Sequence, residues 1–178
     1  MAGFHTKTFT DHDDWMTPVS AWRDLIHNQI VKHTPKVIWE PFYGDGTSGT
    51  NLETLFPASR IIHQPEDFFV TDHECDIIIT NPPFTLKKQV FQRLVELGKP
   101  FIILCPSSMI NTRYMADLFA DHGDAESPLQ ICIPRKRIQF LKMVDGKVDP
   151  DQKGRCNFDC FYYCWKMGLR EGDILWMA

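Results

Sequence analysis

The ten residues "DIIITNPPFT" (76–85) constrain the fold more than any other stretch of the chain. Ile77, Ile78, Ile79 and Thr80 form a β-branched run with almost no polar side chain, the pattern of a central parallel strand buried on both faces. Pro82 and Pro83 then remove two backbone donors and fix two φ angles, so the ladder cannot continue and the chain leaves the sheet in a rigid direction. Asn81 and Phe84 therefore flank a stiff platform at the carboxyl end of a buried strand.

The rest of the chain agrees with a sheet that has both faces covered. Strand-like runs recur at 36–40, 60–64, 75–80, 100–106, 129–134 with an extension at 137–141, and 158–167. Two stretches between them carry helical periodicity. "VSAWRDLIHNQIVKH" places Trp22, Leu25, Ile26, Gln29 and Ile30 on one stripe, and "LKKQVFQRLVELG" places Val90, Phe91, Leu94, Val95 and Leu97 on another before Gly98. Strands and helices alternate early, and the last strands follow each other through the polar loop "VDGKVDPDQKGRCN". The expectation is an α/β chain with a mostly parallel central sheet and an antiparallel C-terminal hairpin. At 178 residues, 43% of them hydrophobic, it reads as a single domain covering 1–178 and large enough to bury a core.

Several functions are disfavoured at this level. No run approaches the ~20 apolar residues of a membrane span, and "MAGFHTKTFTDHDDW" lacks the apolar centre of a signal peptide, so the chain reads as intracellular with no membrane partner. The six cysteines sit mostly in apolar runs, where a reduced thiol packs as a small hydrophobe. Cys156, Cys160 and Cys164 have a regular spacing, but four residues along a strand span roughly 13 Å, too far for one ion to bridge, and no metal site is expected. The net charge of −4 argues against a protein that coats nucleic acid, yet it hides an asymmetry. Residues 1–80 carry 5 basic and 12 acidic side chains and residues 81–178 carry 14 and 11, so an anionic polymer would bind the second half, where Arg135, Lys136 and Arg137 are densest.

In doubly wound sheets ligands bind beyond the carboxyl ends of the strands, where the winding reverses. Two distinctive loops fall there. "EPFYGDGTSG" follows "KVIW", with Gly44 and Gly46 able to turn tightly and expose backbone N–H groups, and Glu40 able to meet a positive group. "NPPF" follows "DIIIT".

The pair "EPFYGDG" and "NPPF", in this order and about 35 residues apart, resembles the S-adenosylmethionine-dependent amino-methyltransferases, most closely the small phage-type DNA adenine-N6 methyltransferases. "DWMTPVSAW" (14–22) is similar to that family's N-terminal aromatic-x-Thr-Pro segment. The resemblance runs from about Trp15 to at least Ser107. It implies a Rossmann-like class I methyltransferase fold and S-adenosylmethionine as cofactor. It also implies Trp15, Thr17 and Pro18 against the cofactor's methionine portion, and Glu40, Pro41, Phe42, Gly44 and Gly46 in the cofactor loop. Asn81, Pro82, Pro83 and Phe84 become the catalytic loop, with Asn81 also touching the cofactor.

The chemistry explains those residue types. The exocyclic amine of adenine is a poor nucleophile until its nitrogen pyramidalises. The Asn81 side-chain oxygen and the Pro82 carbonyl can each accept one amino hydrogen in a geometry that favours that change. Phe84 would stack on the target ring, which must be flipped out of a duplex to be reached.

The family usually spends another helix and strand on the cofactor's ribose and adenine; here only "HQPEDFFVTDHE" is available. The resemblance implies Asp67 on the cofactor adenine amine, Phe68 against its ring, and Glu66 or Gln64 on the ribose. Target recognition would fall to Arg113 and Tyr114 within 107–127, and to Arg135 and Arg137 with the loop from Met143 to Asn157. No room remains for a separate recognition domain, so specificity could be loose or come from a partner subunit. Two alternatives stay open beside DNA: an RNA adenine acceptor, since one sequence cannot separate a flipped base from a splayed one, and an interaction subunit that keeps the fold without turnover.

Overall fold

A computed structural model of the chain describes residues 15–121, 128–144, 147–148, 158–169 and 174–178. Its core is a seven-stranded sheet in the order β10-β6-β9-β5-β4-β2-β3. The strands are β2 (Val37–Trp39), β3 (Arg60–Ile62), β4 (Ile77–Thr80), β5 (Phe101–Pro106), β6 (Gln130–Ile133), β9 (Cys160–Trp165) and β10 (Ile174–Trp176). Only β9 runs against its neighbours, pairing antiparallel with both β5 and β6; the other contacts are parallel. The expected antiparallel pair near the C-terminus is thus β6 with β9. β10 adds a parallel edge strand beyond it that the sequence expectation did not contain, because three residues carry too little alternation to stand out.

Side chains alternate across this sheet into two cores. Ile38, Ile77, Ile79, Ile102 and Leu104 face α1 (Val19–His27) and α2 (Thr47–Leu55) through Trp22, Leu25 and Leu52. Trp39, Ile78, Phe101, Ile103 and Cys105 face α3 (Lys87–Leu97) and α4 (Arg113–Ala116) through Val90, Phe91, Leu94 and Met115. All four residues of β4 are buried, as a strand covered on both faces requires. α3 ends at Gly98 in the left-handed region, as expected from its sequence.

Two local expectations differ. The first helix ends at His27 rather than running on to His33: the Asn28 amide and side chain both bond to the Asp24 carbonyl, and Gln29 turns to φ 54°. Ile30 still reaches the core, from irregular backbone. The strand at 129–134 does not extend through 137–141. Pro134 cannot donate to a ladder, and the chain instead starts β7 (Leu141–Val144) in a second, three-stranded sheet with β1 (Trp15–Met16) and β8 (Lys147–Val148). That small sheet pairs Met16 with Leu141 and so ties the segment before α1 to the second half of the chain.

Residues 63–76 hold no helix or strand, so the short route between β3 and β4 is a loop throughout. Cys160 and Cys164 are buried on β9, whereas Cys156 lies outside the described residues, as does most of the Met143–Asn157 loop. Among the described residues no cluster of His, Cys, Asp and Glu could hold a metal, and no helix is long and apolar enough to cross a membrane.

Candidate cofactor and catalytic cleft

The chain turns to opposite sides after β2: β3 lies on one flank and β4 on the other. The loops leaving β2 and β4 therefore meet at the switch point. Between them lies a narrow cleft open to solvent. Its walls come from three segments that the sequence singles out: Trp15 to Thr17, the glycine loop, and Asn81 to Pro83.

The glycine loop needs its glycines. Gly44 and Gly46 sit at φ 56° and 86°, a region that costs other residues strain, and Gly46 opens α2 directly. Asp45 closes a local turn just before that helix, accepting from the Thr47 amide at 2.9 Å and the Thr47 hydroxyl at 2.9 Å. Gly49, one turn on, is buried; a Cβ there would fall 2.2 Å from the His63 ring. His63 is itself clamped, with Nδ1 2.9 Å from the Glu40 carbonyl and its ring stacked on Tyr43 at 4.8 Å. Asp45, Thr47, Ser48 and Tyr43 also line the cleft and Gly49 supports it, although the sequence expectation named none of them. The available signal was a run of small and polar residues directly after a Gly-x-Gly turn.

Opposite stands Asn81. Its side-chain oxygen is buried, yet no described residue donates a hydrogen bond to it. An orphaned acceptor of this kind costs about 1–3 kcal/mol unless a ligand or water fills it. Pro82 and Pro83 are buried beside it and hold its backbone.

Glu40 is placed differently from expectation. Its carboxylate is 1% exposed and stands behind the cleft wall, not on it. Four donors converge on it: the Thr80 hydroxyl at 2.6 Å and the Phe42 amide at 3.0 Å on one oxygen, the Ser48 hydroxyl at 3.1 Å on the other, and the Asn81 amide. Burial nevertheless pushes its pKa up to about 8, because the four bonds offset only part of the desolvation. Pro41 is buried next to it.

The loop after β3 also departs from expectation. Phe68 is 1% exposed, its ring enclosed by Trp39, Phe42 and Phe69, which leaves no face for a cofactor ring. Asp67 accepts from the Phe69 amide at 2.9 Å, the bond of a local turn. Glu66 pairs with His73 at 2.6 Å, and Gln64 is exposed; none of the four lines this cleft.

Phe84 stands edge-on to Phe140 and Phe158, at 6.4 and 5.1 Å, and Phe158 in turn meets Trp15 at 6.1 Å. Phe84 thus belongs to an aromatic cluster gathered from four segments. Of the residues expected to meet substrate, Arg113 is exposed at the start of α4, while Tyr114 packs into the core with its hydroxyl on the Met109 sulfur. Arg135 is exposed beyond β6, and Arg137 is held by Asp159 through two bonds of 2.6 and 3.1 Å.

The sheet order, the single reversed strand and helices on both faces define the Rossmann-like class I S-adenosylmethionine-dependent methyltransferase fold. Among solved structures, the chain is similar to a candidate RNA methyltransferase of Pyrococcus horikoshii, with TM-score 0.57 and 12% identity over 90% of this chain and 93% of that one. It is also similar to a candidate class I methyltransferase of Listeria monocytogenes, with TM-score 0.51 and 14% identity over 94% of this chain and 66% of the other. A third likeness is to the plantazolicin methyltransferase, solved with S-adenosylhomocysteine, at TM-score 0.52 and 10% identity over 83% and 82% of the two chains. No protein-family model and no curated protein sequence matches the chain.

Proposed function

We propose that this protein transfers a methyl group from S-adenosylmethionine to the exocyclic N6 amine of adenine in DNA, as one intracellular catalytic domain spanning 1–178. The observation that carries the proposal is the Asn81 side-chain oxygen, buried and without a donor on a cleft wall that faces a glycine loop. An orphaned acceptor there fits an amine as its missing partner. We assign the cofactor to the same cleft, which Trp15, Thr17, Phe42, Gly44 and Asn81 line, beside the helices that Pro18 and Gly46 open. When bound, S-adenosylmethionine supplies an electrophilic methyl group.

The residues of the chain do the rest. Asn81 accepts one amino hydrogen and the Pro82 carbonyl a second, which favours a pyramidal nitrogen and frees its lone pair. Pro82 and Pro83 hold both acceptors in place, so no reorganisation is needed at the moment of attack. Phe84, braced edge-on by Phe140 and Phe158, offers an aromatic surface to a flipped base. Exposed Arg135 and Lys136, with Arg113, supply cations for the phosphate backbone.

An RNA adenine is the second acceptor considered, because the solved protein with the TM-score of 0.57 bears the name of an RNA methyltransferase. The two are separated by methyl transfer into DNA and RNA oligonucleotides of the same sequence, single- and double-stranded. Preference for DNA supports the first reading, and preference for RNA replaces it. Activity that appears only when a second protein is added would assign specificity to a partner subunit.

A further inference from the structure

Glu40 is bonded in a way that the proposed reaction does not by itself demand. One oxygen accepts from Thr80, the last residue of β4, and from the Phe42 amide of the glycine loop; the other accepts from Ser48 on α2; and the Asn81 amide completes the set. Two of these donors, Phe42 and Ser48, belong to the glycine loop and the helix it opens, which would hold the methyl donor, and two to the segment that would hold the acceptor nitrogen. The side chain is buried, so no solvent competes for its oxygens. A fifth bond acts from behind, the His63 ring on the Glu40 carbonyl, which fixes the backbone from which the carboxylate projects.

We propose that Glu40 is a positioning residue that locks the glycine loop to the Asn81 loop, setting the distance and angle between methyl donor and acceptor amine rather than binding either. The inference rests on the proposed methyl transfer for its consequence and on geometry alone for its mechanism. A carboxyl group keeps acceptor lone pairs on both of its oxygens even when it is protonated, so it can serve both loops at once. The amide of a glutamine cannot, because its NH2 nitrogen offers no acceptor where the second oxygen stood. An aspartate is one methylene shorter and cannot span the same donors. In-line transfer is sensitive to small displacements, so loosening this lock acts on the rate at saturating cofactor more than on cofactor affinity.

The test compares the full-length wild type with Glu40→Gln, Glu40→Asp and Thr80→Val by amide hydrogen exchange, cofactor calorimetry and methyl-transfer kinetics. In Glu40→Gln the Phe42 and Asn81 amides should exchange faster together, by about tenfold, while the Ile78 amide, bonded to Pro100, keeps its protection. The kcat should fall by about tenfold or more with the dissociation constant for S-adenosylmethionine changed by no more than about threefold, and Glu40→Asp should not restore it. Thr80→Val, which leaves the carboxylate in place, should show a smaller loss of the same kind. Exchange that rises at one loop only, or a kcat unchanged in Glu40→Gln, overturns the proposal. A wild type that neither binds cofactor nor transfers methyl overturns the proposed function instead. The exchange experiment still decides whether the lock exists.

Discussion

The buried carboxylate makes a prediction about stability that needs no substrate. Glu40 keeps its proton in the folded chain up to about pH 8, whereas the unfolded chain releases it near 4.5. Between those values the native state binds more protons than the unfolded state, so stability must fall as pH rises. The contribution is complete below the unfolded pKa and is lost as pH climbs through the folded one. Each pH unit inside the window is worth about 1.4 kcal/mol. Full burial leaves no solvent screening to discount. Glu40→Gln removes the titration and adds a pH-independent offset from its misplaced NH2 group. Urea unfolding of both proteins at pH 5.5 and 7.5 should therefore show the variant gaining about 2.5 kcal/mol on the wild type across that interval. Other titrating groups cancel in the comparison. A difference that stays flat from pH 5.5 to 7.5 would mean that the four donors outweigh burial and hold Glu40 ionised, and would refute the reasoning.

Four further outcomes are expected. Asn81→Ala should lower kcat by about 100-fold or more, while calorimetry finds cofactor affinity within a few-fold of wild type. Phe84→Ala should mainly raise KM for the nucleic acid, read from steady-state kinetics, since Phe140 and Phe158 keep the rest of the aromatic cluster. Gly49→Ala places a methyl group against the His63 ring and should cost about 1–3 kcal/mol by urea unfolding. Replacing Arg135 and Lys136 together by Ala should weaken binding to oligonucleotides of every sequence and reduce the slope of log K against log salt by about 1–2.

Much of this architecture was legible in the sequence because its signals are local. The unbroken apolar run of β4 announced a strand buried on both faces, the two prolines announced its end, and two glycines marked the turn after β2. What escaped was set by contacts distant along the chain. Nothing near Glu40 reveals that Thr80, forty positions on, donates to it, so a buried structural acid looked like one free to meet a ligand. Phe68 follows an acid as a cofactor-facing aromatic might, but hydrophobicity alone does not say which side of a loop a ring takes; here Trp39 and Phe42 draw it into the core. Two-residue β1 has no periodicity to detect, and its partner strand lies in the other half of the chain. Gly49 reads as an ordinary helix residue until His63 is seen to cover it.

The central claim is amine methylation at Asn81, and its most direct test is transfer of tritiated methyl from S-adenosylmethionine into unmethylated DNA, followed by nucleoside mass spectrometry of the product. The account predicts N6-methyladenine with the wild type and none above background with Asn81→Ala. Incorporation at another atom, or an undiminished yield from Asn81→Ala, would contradict it.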